Sequence, residues 1–452
     1  MSLFTKHKDI LLILGSTILY FIFAYFLERT EFNKLIFLWF ALFGCFYLLI
    51  KSKTIHTSTL IGLVILFRLI FLFSIPNLSQ DFYRFIWDGR MILEGFNPYL
   101  SLPESFIQQG TQPISEAYNL YSGMGEMNGS HYTNYPPINQ LCFLIAALFA
   151  SKSVFGSIIG LRTIIILADI GILYFGKKLL ERLNLPVKNI FWYALNPFII
   201  IEMTGNLHFE PVMLFFLIWS FYKLHQQKWT FAAILLACSV SVKLIPLLFL
   251  PLFYQWFVKK EKNWFSGIKK LSLFYAITLG TIIILFLPFY SSEFIENYAN
   301  SVGLWFRNFE FNASFYYIFR EIGYLFRGYN EIAIIGKITP IITIVFLLII
   351  TFFRNNKTMI QLITALLFGL CFYYFTVTTV HPWYLATPLI LSVFTKYRFP
   401  IIWTIVIIFS YQAYANTPWK ENLWFVAFEY LVLYGFLFFE LRKNSQHYKI
   451  VK

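Results

Sequence analysis

Charge is scarce in this chain: only 13% of its 452 residues are Asp, Glu, Lys or Arg, while 58% are hydrophobic and 21% aromatic. Soluble domains carry about 25% charged residues, so a soluble globular protein of this size is excluded. Cysteine is also scarce. Cys45, Cys142, Cys238 and Cys371 all lie inside apolar segments without metal-ligand spacing, which reads as packing and offers neither a disulfide framework nor a zinc site. No Gly-rich phosphate loop opens a helix anywhere, so no nucleotide-binding domain is visible.

Long apolar runs take the place of charge. They recur from end to end at close to the roughly 20 residues that cross a bilayer, which predicts a single all-α, polytopic membrane domain over 1–452. The first run, Ile10 to Phe26, has no small-residue cleavage site after it and reads as a retained span. Spans are expected near 10–27, 34–50 and 58–75, and then at intervals to 400–440, for a total of about 11 to 13. The segment 138–150 fits poorly as a full crossing and is expected to lie in the interface or to be partly inserted.

The net charge of +14 would suit a nucleic-acid partner, but its placement argues against one. The basic residues cluster in short connections (Lys177/Lys178, Lys223/Lys228, Lys259 to Lys270, Arg354/Lys357), as cytoplasmic loops do. The remaining connections, which hold most of the acids, then face outward. Segment 77–136 becomes a large first extracytoplasmic loop with short interfacial helices, and 291–333 a second.

The first loop contains DFYRFIWDGRMILEGFNPY, a polar island at Asp81 to Tyr99. Asp81, Arg84 and Asp88 follow the spacing of one helical face. Such a face either presents a carboxylate to a hydroxyl or bridges Arg84 and Arg90 on a solvated helix. NYPPINQ (Asn134 to Gln140) has a proline pair able to start a helix. EMTGNLHFEP supplies Glu202, Asn206, His208 and Glu210, whose spacing suits polar contacts to a sugar better than a metal. Lys243 interrupts an apolar run and either meets a lipid phosphate or snorkels to the interface. Arg68, Arg162 and Asp169 sit at membrane depth, and Arg162 and Asp169 are candidates to satisfy each other. RNFEFNASFYY and HPWY carry Arg307, Asn312, His381 and Trp383 outward, so that all these motifs are expected to line one outward-facing cavity.

The order SQDFYRFIWDGRMILEGFNPY, NYPP, ALNPFIIIEMTGNLHFEP, SVKLIPLLFLP, FEFNASFYYIFR, VHPWYLATPLI resembles the GT-C superfamily of polyprenyl-phosphate-sugar-dependent glycosyltransferases, in its bacterial mannosyltransferase-like branch. The resemblance implies a GT-C-like bundle in the bacterial inner membrane with its active site on the extracytoplasmic face. It also implies inverting transfer of a hexose, with mannose expected, to a glycan, lipid or protein hydroxyl. By position, Asp81 becomes the general base, with Asp88 second. Arg84, Arg90 and Lys243 become donor-phosphate ligands. Tyr83, Trp87, Asn97, Tyr135, Glu202, Asn206, His208, Glu210, Arg307, Asn312, His381 and Trp383 become sugar or acceptor contacts. The sequence departs from the pattern in having three apolar segments before the loop and no contiguous acidic pair, so no metal or other cofactor is expected. The competing readings are a flippase or transporter of lipid-linked sugars, and a polysaccharide polymerase or ligase.

Overall fold

The computed structural model of the chain describes residues 3–261, 263–307 and 309–450, with side chains described for 7–261, 263–303 and 309–445. Among the described residues the fold is all-helical, with one isolated bridge between Phe311 and Thr379. Among the described residues, seven helices are long and apolar enough to cross a membrane, or eight if the bent pair Ile199–Gly205 and Glu210–His225 is one span. Six shorter apolar helices accompany them, and the expected total of about 11 to 13 is reached only if several of these also cross. Pro137–Ala150, at 14 residues, extends only about 21 Å.

The chain begins with α1 (Leu3–Phe26), α2 (Phe32–Lys51) and α3 (Thr57–Ile70). The loop that follows folds into three short helices, α4 (Asp81–Leu93), α5 (Pro103–Gln108) and α6 (Ala117–Gly129). Next come α7 (Pro137–Ala150), which Pro137 opens in the first turn, and α8 (Val154–Arg182), whose Ser153 side chain accepts the amide of Gly156.

Helix α4 lies directly on α7. Gly89 makes this possible, because a Cβ there would sit 2.2 Å from the carbonyl oxygen of Phe143. The rings of Phe85 and Phe143 stack across the same seam at 4.7 Å. The start of α7 is tied elsewhere, its Ile138 amide donating to the carbonyl of Ser241 at 2.8 Å. That bond sets the NYPP turn beside Lys243.

The membrane-depth charges are partnered differently from the expectation. Arg68, not Arg162, pairs with Asp169, at 2.8 Å and fully buried. Residues seven apart on one helix are two turns, roughly 10 Å, from each other, which is too far for Arg162 to reach Asp169 directly. Arg162 instead donates to the carbonyls of Leu72, Ser74, Thr204 and Gly205 at 2.6–3.0 Å. These are carbonyls left over where the chain leaves α3 and where the π-helical turn Ile199–Gly205 ends, and in an apolar bundle each needs a donor. The guanidinium thereby fixes the break in the bent pair, whose axes meet at 112°.

Candidate active site

One cavity of about 600 Å³ opens where the α1–α2 connection, the start of α4, the NYPP turn, the bend at 208–210, Lys243 and the HPWY turn meet. Asp81, in the first turn of α4, faces it. That position is favourable for a carboxylate, since the helix N-terminus carries partial positive charge. Its Oδ1 accepts from the Asn128 amide at 3.5 Å, and its own backbone amide donates to Ser79 Oγ. Burial raises its pKa above the ordinary carboxylate range, while Lys243, Asn128 and Arg29 pull in the other direction.

One turn on, Arg84 also reaches the cavity wall, but most of its donors are taken. Nε donates to Asp88 at 2.8 Å, and Nη1 donates to the carbonyls of Asn128 at 2.6 Å and His131 at 2.8 Å. Asp88 is completely buried, and its second oxygen accepts from the Gln140 amide, which also donates to Thr133. This network bolts segment 128–133 to α4 and α7 and holds Asn128 against Asp81.

Across the cavity, Lys243 and Glu210 form a close ion pair. His208 stacks on Trp383 at 3.9 Å, and Trp383 stacks on His381 at 4.5 Å with only 4° between the planes. Burial and the Lys243 charge push the His381 imidazole down to about 3, so it stacks as a neutral ring. Behind it, Phe311 exchanges backbone bonds with Thr378 and Val380, which fixes the turn before His381.

Of the residues expected from sequence, the cavity brings together Asp81, Arg84, Tyr135, His208, Glu210, Lys243, His381 and Trp383. The others lie elsewhere. Asp88 is bound behind the wall, and Arg90 binds Ser115 and Glu116. Tyr83 packs on Gly123, and Trp87 packs near Phe106. Asn97 donates to Phe289, and Glu202 accepts from Tyr411. Asn206 accepts from the amide of Leu78, while Asn312 is held by Glu421 and Glu429. The side chain of Arg307 lies outside the described residues. Sequence reasoning passed over Arg29, Asn128, Asn139, Tyr414 and Trp419, which also line the cavity. Asn139 is fully buried with both amide atoms unpartnered, and its place inside NYPPINQ was the signal for it. No group of three or more His, Cys, Asp or Glu suited to a metal ion occurs among the described residues.

Residues 14–259 match the family of alpha-(1->6)-mannopyranosyltransferases, over its N-terminal domain. The match spans more than half of the chain. The chain belongs to this family. It is therefore a membrane-embedded glycosyltransferase that moves mannose, and the flippase or transporter reading falls away. No match to a curated protein was found. The family region contains Arg29, Asp81, Arg84, Glu210 and Lys243, and this mannosyltransferase completes its cavity wall with residues beyond the matched region, from Val302 to Trp419.

Proposed function

We propose that the protein transfers mannose from a polyprenyl-phosphate carrier to an acceptor hydroxyl on the extracytoplasmic side, with inversion, and that Asp81 is the general base. The observation that carries this reading is a half-buried carboxylate on a cavity that also has a lipid-facing wall. Helix Ile332–Phe352 turns Gly336, Thr339 and Pro340 to the cavity and exposes Ile334, Ile338 and Ile341 on its other sides. A carrier chain can lie against that helix while its head group reaches Asp81.

In the reaction, Asp81 takes the proton of the acceptor hydroxyl as its oxygen attacks the anomeric carbon. The bond from that carbon to the phosphate oxygen breaks, and polyprenyl phosphate leaves with the electron pair. Phosphate departs without protonation, so a single base suffices, and the raised pKa of Asp81 makes it a better proton acceptor than an ordinary carboxylate. Direct displacement inverts the anomeric centre. The stacked rings of His208, Trp383 and His381 give the cavity an aromatic wall against which a sugar can pack.

The test is release of polyprenyl phosphate from polyprenyl-phosphate mannose by purified protein supplied with a crude envelope acceptor. Wild type releases the lipid, and Asp81→Asn, which keeps size and removes the base, does not, although it still folds and binds donor. Turnover at the wild-type rate by Asp81→Asn overturns the assignment of the base. Absence of release from any polyprenyl-phosphate hexose by folded wild type overturns the donor.

A further inference from the structure

Three basic side chains of Lys and Arg line the cavity: Arg29, Arg84 and Lys243. Two of them are neutralised by the protein itself, Arg84 by Asp88 and Lys243 by Glu210. Two acidic side chains line it, Asp81 and Glu210, and Glu210 is the partner of Lys243. After this pairing, Asp81 and Arg29 are the charges without an ion-pair partner among the described residues.

Arg29 is held by an aromatic ring and one carbonyl. Its guanidinium lies over the ring of Tyr414 at 4.4 Å, and Nη1 makes a single long contact, 3.4 Å, to the carbonyl of Leu78. A cation–π contact anchors the charge without cancelling it, and it leaves the in-plane N–H edge available. That edge matches a phosphate, which guanidinium grips through two parallel hydrogen bonds. Tyr414 is itself positioned, its ring 5.7 Å from Tyr411, whose hydroxyl donates to buried Glu202 at 2.6 Å.

We infer that Arg29 is the residue that grips the phosphate of the donor lipid, and that Lys243, already bound to Glu210, is not its principal counterion. This inference rests on the lipid-phosphate donor proposed above. Its chemical logic lies in how charge changes during the step. The donor is a phosphodiester with one negative charge. When the bond to the anomeric carbon breaks, the departing phosphomonoester takes the electron pair and gains a second. An uncancelled cation interacts more strongly with that state than with the ground state, so Arg29 contributes to kcat as well as to donor affinity.

The experiment uses the full chain in nanodiscs of phosphatidylcholine. It compares the affinity of a long-chain polyprenyl phosphate with that of the matching polyprenol, and it measures kcat and KM with polyprenyl-phosphate mannose. Wild type prefers the phosphate by about tenfold or more, the worth of one charge-assisted contact. Arg29→Gln erases that preference, still binds polyprenol as a folded control, and lowers kcat. Arg29→Lys restores part of both, since it keeps the charge and loses the fork. Retention of the wild-type preference and kcat by Arg29→Gln overturns the inference while leaving the donor reading intact. If wild type itself fails to discriminate or to release polyprenyl phosphate, the donor reading falls and takes the inference with it. Two arms separate the sources of phosphate. Loss of the preference in phosphatidylglycerol discs, or to millimolar inorganic phosphate, would assign Arg29 to ordinary headgroups or free phosphate and overturn the carrier assignment.

Discussion

Replacing Gly89 with alanine tests whether the α4–α7 seam sets the position of Asp81. The added Cβ would stand 2.2 Å from the Phe143 carbonyl oxygen, 2.5 Å from its carbonyl carbon and 3.1 Å from its Cβ. Two of these are backbone atoms inside a helix and cannot rotate away. An ordinary carbon–oxygen contact is about 3.3 Å, so the helices must part by roughly 1 Å. Overpacking on this scale costs about 1–3 kcal/mol. The shift also pulls on bonds that cross the same seam, Gln140 to Asp88 at 3.0 Å and, through Asp88, Arg84 to segment 128–131.

Asp81 lies eight residues, about 12 Å, along α4 from the clash. A displacement near 1 Å at the reacting atoms can cost about a hundredfold in rate. Gly89→Ala is therefore expected to lower Tm modestly and to reduce kcat by about ten- to a hundredfold, with donor affinity nearly unchanged because Arg29, the inferred donor-phosphate ligand, lies on another element. Thermal unfolding in detergent and steady-state mannose transfer measure the two effects. Gly62→Ala on α3, where an added Cβ meets nothing within 4 Å, is the matched control and should change neither. Wild-type kcat together with wild-type Tm in Gly89→Ala would refute the claim that this contact positions the base.

Two further outcomes follow from the buried charges. Lys243 favours the ionised form of Asp81, so Lys243→Ala should raise the Asp81 pKa further. As the proposed base, Asp81 works only when deprotonated, so the acid limb of kcat/KM moves to higher pH in that variant, and a limb that stays in place would remove Lys243 from the electrostatics of the site. Asp88→Asn leaves the buried Arg84 guanidinium uncompensated and should cost about 3–5 kcal/mol of stability, whereas Arg84→Met combined with Asp88→Leu should recover much of it, as apolar replacements of buried pairs often do. An unchanged unfolding transition in Asp88→Asn would show that the pair is solvated.

Much of the architecture was legible because a bilayer leaves few options. Backbone groups in hydrocarbon must bond within their own helix, so apolar runs of sufficient length read directly as helices. The polar helix at Asp81 and the start of α7 at Pro137 were legible for other reasons, the spacing of one helical face and a proline pair in a first turn. The place of the bend between Ile199–Gly205 and Glu210–His225 is marked by the polar stretch EMTGNLHFEP, but what holds it could not be read. It is a π-helical break whose carbonyls are satisfied by Arg162, a donor some forty residues away, and local sequence carries no trace of that partner. For the same reason Arg162 looked like the mate of Asp169, when the true mate, Arg68, comes from another helix.

Within the site, periodicity placed Asp81, Arg84 and Asp88 on one face of α4 but could not say how far that face runs along the cavity. It runs one turn. Asp81 and Arg84 reach the cavity, whereas Asp88, seven residues on and roughly 10 Å deeper, is enclosed by Gln140 and the floor of α7. The harder matter is which charges remain available, because neutralisation is a tertiary property. From the sequence, Arg84, Arg90 and Lys243 are conspicuous cations in or beside the motifs, yet each has a carboxylate waiting in the fold, Asp88, Glu116 and Glu210 respectively. Arg29 sits in an unremarkable two-helix connection. Among the described residues it has no ion-pair partner, and the groups that reach it are the ring of Tyr414, nearly four hundred residues along the chain, and a single distant carbonyl. Arg29, the cation inferred above to meet the donor phosphate, is the one the fold holds by an aromatic face.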